Sequence, residues 1–292
     1  MSIKKNFLYL CLLVVTFFFS YSELIAAPRG KVRAKAAMLM NVDSSTILFA
    51  KNPNKPMQPA SLTKILSLYL VYEAIKDGKV HLADRVKISA NAQLTGGSSM
   101  YLVDETEVAL EDLIKGMAVV SANDASIAIA EHIGGSVDEF VKMMNTKARE
   151  LGMKHSHFIN PNGLPARGQV TTARDILILS HAYIRDFPEV LQIHSMQEYT
   201  YRDITQHNSN TLLKQHDDVD GLKTGFVRAS GFHLVATAKR GDTRLIAVVM
   251  GERNAKIRER ETIKLLEQGF RMVSARGNAS SSSKARLQRA PS

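Results

Sequence analysis

Ser61 and Lys64, in Pro59-Ala60-Ser61-Leu62-Thr63-Lys64, are a nucleophile and a base candidate three positions apart. Residues at that spacing share one face of a helix, and Ser61 would stand at the positive end of the helix dipole. A serine hydroxyl is a weak nucleophile until an adjacent base takes its proton. A lysine held out of water near other cations gives up its proton close to neutral pH and can be that base. The bland alternative is a serine cap followed by a surface lysine, since a bare S-x-x-K arises often by chance. Two further triplets keep it company: Ser121-Ala122-Asn123 lies between two helical stretches, and Lys223-Thr224-Gly225 closes a predicted strand. Alone, each reads as helix caps or as a strand-end charge.

The elements that must position these groups follow from hydrophobic period. Leu62 to Ile75 is apolar on nearly every face and stops at Lys76-Asp77-Gly78, which predicts a centrally buried helix ended by a C′ glycine. Leu110–Val120, Asp124–Ile133, Val137–Leu151 and Ala173–Ile184 carry apolar residues at three- and four-residue spacing, the helical signature. Ala36–Met40 and Thr46–Ala50 flank a turn-rich segment and read as a β-hairpin. Glu198–Thr205, Val219–Lys223, Phe232–Ala238 and Thr243–Met250 read as strands, and Ile257–Val273 as a closing helix. Strands at both ends with helices between predict an α/β (α+β) fold: a sheet built from the two terminal segments, with a helical subdomain inserted.

The chain of 292 residues suits one large domain. Lys4 and Lys5 precede an apolar run from Phe7 to Phe19, the pattern of a secretory signal peptide, with residues 1–27 as the leader. The run is shorter than the roughly 20 residues a bilayer-spanning helix needs. The single Cys11 lies inside that leader, so neither disulfides nor thiol catalysis are expected afterwards. The net charge of +10 is uneven: the leader carries +1 and residues 271–292 carry +5, which leaves +4 on the body. That distribution argues against nucleic acid and suits a carboxylate-bearing substrate, although ordinary surface charge explains it equally well. Residues 274–292, Ser-rich and basic without period, read as a flexible tail with too few large apolar side chains to lie in a bilayer. No stable membrane anchor is therefore expected once the leader is cleaved. The nine histidines lack metal-site spacing and no Gly-rich phosphate loop is present, so neither a metal nor another cofactor is predicted.

S-x-x-K, then S-x-N about 60 residues on, then K-T-G about 100 later, is the order found in penicillin-binding proteins and β-lactamases. With Gly97-Ser98-Ser99-Met100, His157-Phe158, Asn162-Gly163-Leu164, Thr172-Ala173-Arg174-Asp175 and Asp220 to Phe226, the chain resembles the low-molecular-mass D-alanyl-D-alanine carboxypeptidases of serine peptidase family S11. The resemblance runs from about Lys35 to Val273. It implies a β-lactamase/DD-peptidase-like antiparallel sheet flanked by helices, with residues 28–273 as the enzymatic domain, exported to the periplasm or cell envelope. It implies further that Ser61 attacks the bond between two D-alanines of a peptidoglycan stem peptide, that Lys64 takes its proton, and that Ser121 relays a proton to the leaving amine. Asn123 would hold Lys64 and the substrate amide. Lys223, Thr224, Gly225 and Phe226 would face the bound peptide, and Arg258 would stand near its terminal carboxylate. β-Lactam antibiotics would inhibit covalently.

Two departures from the family pattern stand out: Val227 replaces a usual threonine, and the chain stops near the point where many relatives continue into a second domain. A β-lactamase would call for S-D-N, where this chain has Ala122, and for a glutamate loop that the sequence lacks. The remaining alternatives are a D,D-endopeptidase acting on cross-links with the same residues, and a non-catalytic penicillin-sensing or wall-binding module, which would predict a broken set of triplets.

Overall fold

The computed structural model describes residues 32–287, with side chains through Ala275. The leader predicted over residues 1–27 lies outside the described residues. Short, nearly continuous apolar runs in the terminal segments, buried on both faces, build the central sheet. Strand β1 (Ala36–Asn41) pairs with β2 (Thr46–Lys51) on one side and on the other with β9 (Thr243–Glu252). Strand β8 (Gly231–Arg240) and the edge strand β7 (Val219–Val227) complete an antiparallel order β2-β1-β9-β8-β7.

Because successive residues of a strand point to opposite faces, β9 divides its apolar residues between two cores. Ile246, Val248 and Met250 join Met38, Leu222 and the helical lobe. Leu245, Ala247 and Val249 join Leu39, Leu234 and the long helix α9 (Ala255–Leu287) through Leu265, Leu266 and Phe270. Helix α9 runs past Ser274, where composition had placed the start of a tail; the backbone is helical through Leu287.

In chain order, the inserted helical lobe lies between β2 and β7. Its centre is α1 (Thr63–Lys76), preceded by a single 3-10 turn at Ala60–Leu62 and buried along nearly all its length. The helix stops as expected. Gly78, at φ 69°, donates its N–H to Ile75 O, and Lys79 donates to Ala74 O, so the last carbonyls are closed by a Schellman motif. Short strands and helices follow: β3 (Arg85–Lys87), α2 (Ala90–Gln93), β4 (Glu107–Ala109) and α3 (Leu110–Lys115). The expected helix over Leu110–Val120 changes character halfway, because Gly116–Val120 winds as a π-turn that ends at Ser121 in the left-handed region. Then come α4 (Asn123–Gly134), α5 (Val137–Glu150), α6 (Ala173–Asp186) and α7 (Val190–His194). The segment Glu198–Thr205, read as one strand, is a hairpin: β5 (Glu198–Tyr201) turns through Arg202 and Asp203 into β6 (Ile204–His207). A short α8 (Leu212–Gln215) leads into β7. Among the described residues, no helix is long and apolar enough to cross a membrane.

Candidate active site

Helix α1 cannot reach its buried position without carrying Lys64 with it. Lys64 is wholly buried, and its ammonium donates to Ser61 Oγ at 3.2 Å, to Asn123 Oδ1 at 2.7 Å and to the carbonyl of Asn162 at 2.7 Å. A buried cation is tolerable only when its donors are satisfied. Burial, with Lys223 nearby, holds Lys64 well below the ordinary lysine range, while Asp124 pulls the other way. A shift of that direction favours the neutral amine over the ammonium.

Ser61 occupies the 3-10 turn that opens α1 and keeps partial access to solvent. Two other segments press against this turn, and each does so through a glycine. A Cβ on Gly163 would lie 1.9 Å from Ala60 O, and its φ is +85°. A Cβ on Gly225 would lie 3.1 Å from Ala60 Cβ and 3.3 Å from the Ser61 nitrogen. The second contact brings the edge strand β7 against Ser61. Lys223 and Thr224 are buried there, while Phe226 is exposed and stacks on Phe232 at 4.3 Å between ring centres. The triplet therefore does not close the strand as predicted: β7 continues to a buried Val227 before turning into β8.

Among the described residues no carboxylate is bonded to Lys223; its ammonium donates to its neighbour's carbonyl, Thr224 O, at 3.3 Å. Burial, and then the charge of Arg258, bring its pKa down to about 7. Arg258, in the first turns of α9, is itself buried, and burial lowers its pKa while Glu259 opposes that. Its outer nitrogen bonds Glu259 at 2.9 Å and Ser209 O at 3.4 Å, and its Nε finds no partner. Ser121, held at φ 65° by the end of the π-turn, is buried with an unpartnered Oγ. Lys223 and Arg258, two buried cations near one another with donor capacity left over among the described residues, suit an anionic, hydrogen-bonding ligand.

Asn123 opens α4. Its side chain bridges Lys64 on one side and Gly96 O, 2.7 Å away, on the other. One of its amide hydrogens is thus committed to the protein rather than to a substrate. Three contributors were missed in the sequence. The Asn162 carbonyl on Lys64 belongs to Asn162-Gly163-Leu164, a patch that carried the family resemblance but was given no role of its own. The Pro161 carbonyl before it is fixed by Ser67 and Ser126 hydroxyls at 2.7 and 2.9 Å. Asp124, which reads in the sequence only as the first residue of the helical stretch Asp124–Ile133, bears on the charge of Lys64.

A buried lysine beside a serine at the head of a central helix, next to a sheet-edge K-T-G strand, belongs to the fold of the low-molecular-mass penicillin-binding proteins. The chain belongs to the D-alanyl-D-alanine carboxypeptidase family, Peptidase S11, whose model matches residues 23–254. It is 41% identical over 260 residues to D-alanyl-D-alanine carboxypeptidase DacC of Escherichia coli, an alignment covering 87% of this chain and 64% of that protein. It spans less than two thirds of the length of such curated relatives. Penicillin-binding protein 5 of Haemophilus influenzae superposes with a TM-score of 0.81 at 41% identity, covering 84% of this chain and 72% of that one. Penicillin-binding protein D2 of Listeria monocytogenes, solved in an ampicillin-bound form, superposes with a TM-score of 0.76 at 31% identity, covering 83% and 99%.

Proposed function

We propose that this protein is a serine-type D-Ala-D-Ala carboxypeptidase that removes the terminal D-alanine of peptidoglycan stem peptides through an acyl-enzyme on Ser61. The observation that carries this reading is the buried Lys64 ammonium 3.2 Å from Ser61 Oγ, with its pKa depressed by burial and by Lys223. Lys64 takes the hydroxyl proton as Ser61 attacks the carbonyl between the two D-alanines. Ser121, with its free hydroxyl, passes a proton to the departing amine, and D-alanine leaves. Water then releases the shortened peptide from Ser61. Lys223 and Arg258 supply positive potential for the terminal carboxylate, and Thr224, Gly225 and Phe226 present the strand edge along which the peptide lies. Backbone N–H groups of Ser61 and Phe226 hold the oxyanion, a contribution of about 3 kcal/mol per donor.

The same Ser61 accepts β-lactams, a reading supported by the ampicillin-bound relative. Residues 28–273 form the enzymatic domain, and the leader directs export to the periplasm or cell envelope. A D,D-endopeptidase uses the same groups, so substrate decides between the two. Purified protein given a pentapeptide and, separately, a cross-linked muropeptide should release D-alanine from the first; monomers from the second alone would overturn the assignment. Labelled penicillin should attach covalently, and Ser61→Ala should abolish that labelling.

A further inference from the structure

Asn123 can hold Lys64 only if something holds Asn123. Its backbone N–H donates to Ser98 O at 2.7 Å and its side chain to Gly96 O at 2.7 Å. Both acceptors belong to residues 96–102, a segment between α2 and β4 that contains neither helix nor strand. Segments of this kind take their position from side-chain bonds rather than from a backbone ladder.

Those bonds converge on the residue after Asn123. Asp124 is fully buried, and its carboxylate accepts from Ser99 Oγ at 2.6 Å, from Met100 N at 3.1 Å and from Leu102 N at 3.1 Å. Its own helix adds Ala125 N at 2.9 Å. Ser99 Oγ in turn accepts from Tyr101 N at 2.8 Å, and Ser99 O accepts from Gln206 of β6 at 3.1 Å. A buried carboxylate without such donors costs several kcal/mol. Here the donors come mainly from one segment, so satisfying the charge and placing that segment are the same event.

We propose that Asp124 is a positioning residue for acylation: it clamps residues 96–102 so that Gly96 O and Ser98 O lock Asn123, which in turn aims Lys64 at Ser61. Asp124 touches no reacting atom in this scheme and acts through Asn123. Neighbouring residues of one helix turn thus serve one lysine, Asn123 by direct contact and Asp124 by fixing the wall against which Asn123 braces. The inference rests on the acyl-transfer reading given above for Ser61 and Lys64.

The test uses the full chain and a fluorescent penicillin, with labelling rates at several concentrations resolved into a binding constant and a first-order acylation rate. In Asp124→Asn the side-chain amide must turn an N–H toward a backbone N–H, which breaks the clamp with little change in volume. The acylation rate should fall at least about tenfold while the binding constant changes by less than about threefold, since misplacement of a base by a fraction of an ångström acts on the chemical step. Ser99→Ala should lower the same rate by about threefold or more, and the double variant should be no slower than Asp124→Asn alone, because both changes break one clamp. A purely structural role would lower the melting temperature but leave the acylation rate of the folded fraction unchanged. If both single variants acylate within about twofold of the parent, or if their effects multiply in the double variant, the proposal is overturned. Should Asp124→Asn not fold, Ser99→Ala decides alone by the same thresholds. Failure of the parent to label, or labelling that survives Ser61→Ala, overturns the acyl-transfer reading and this proposal with it; a labelling parent with unaltered variants overturns only the positioning role.

Discussion

Two lysines with depressed pKa values share the site, and the proposed chemistry needs them in opposite states. Lys64 must be neutral to take the Ser61 proton, whereas Lys223 must be charged to attract a carboxylate. Burial is the leading cause of both shifts: it holds Lys64 well below the ordinary lysine range, with Lys223 as the next cause, and it brings Lys223 to about 7, with Arg258 as the next cause. For kcat/KM, which reports the free enzyme, the acid limb then belongs to Lys64 and the basic limb to Lys223. With a carboxylate-terminated peptide, kcat/KM should begin to decline as pH rises through about 7, as Lys223 loses its proton. Lys223→Arg keeps the charge and should carry that basic limb upward by at least about two pH units, with a lower plateau because the guanidinium is larger. A basic limb that stays in place in this variant would remove Lys223 from the role. Substituting Lys64 by Ala should cost about 10²- to 10⁴-fold in acylation, the usual worth of a general base.

Three backbone segments meet at the Ser61 turn, and two of them depend on the absence of a side chain. Gly163 has both constraints at once, a φ of +85° and a neighbour, Ala60 O, where a Cβ would stand. Gly163→Ala therefore loses about 1–2 kcal/mol from backbone conformation alone, and the contact with Ala60 adds to it. Because Asn162 O is bonded to Lys64, displacing the 160–163 loop also disturbs the base. The expected result is a lower melting temperature together with penicillin labelling at least about tenfold slower. Full-rate labelling in a stable Gly163→Ala protein would show that the loop does not serve the site. The π-turn Gly116–Val120 is the other local device. It ends a helix so that Ser121 sits at φ 65°, a conformation that a continuing α-helix would not give.

The site stands where the helical lobe meets the edge of the sheet, and buried histidines tie the two together. His233 of β8 donates from Nε2 to Gln58 O at 3.1 Å, just before the Ser61 turn, and accepts at Nδ1 from Gly251 N at 3.0 Å. That pairing requires a neutral ring, and burial brings its pKa down to about 4. His194 of α7, bonded to Leu222 O at 2.9 Å and to Tyr183 Oη at 3.3 Å, is brought down to about 3 by burial and then by Lys223. Both folded values lie below the ordinary histidine value of about 6.5, so the unfolded chain binds these protons first as pH falls. The stabilisation is complete above about 6.5 and is lost progressively toward 4 and then 3. Each histidine contributes a slope on the order of 1.4 kcal/mol per pH unit in that window. Urea unfolding at pH 7.5, 6 and 5 should show falling stability, and His233→Gln should reduce the slope between pH 6 and 5. A flat profile over that range would contradict the neutral assignments.

Much of this molecule was legible in its amino acids because the signals are local. Short apolar runs and period 3.6 located the sheet and the main helices, the Asp77-Gly78 stop ended α1 where expected, and residue types at fixed spacing put Ser61 beside Lys64. The extent of β7 beyond Gly225, the hairpin at Glu198–His207 and the π-turn were not legible, since each depends on pairing or packing with distant segments. The same holds for the site. Ser61, Lys64, Ser121, Asn123, Lys223 and Arg258 are named by type and order, but the state of each is set by burial and by neighbours up to about 160 positions away along the chain. That Lys64 is dry, that Asn162 offers it a carbonyl, and that Asp124 anchors the wall behind Asn123 are consequences of folding alone. Desolvation and hydrogen-bond geometry are properties of a packed interior, and no linear pattern contains them.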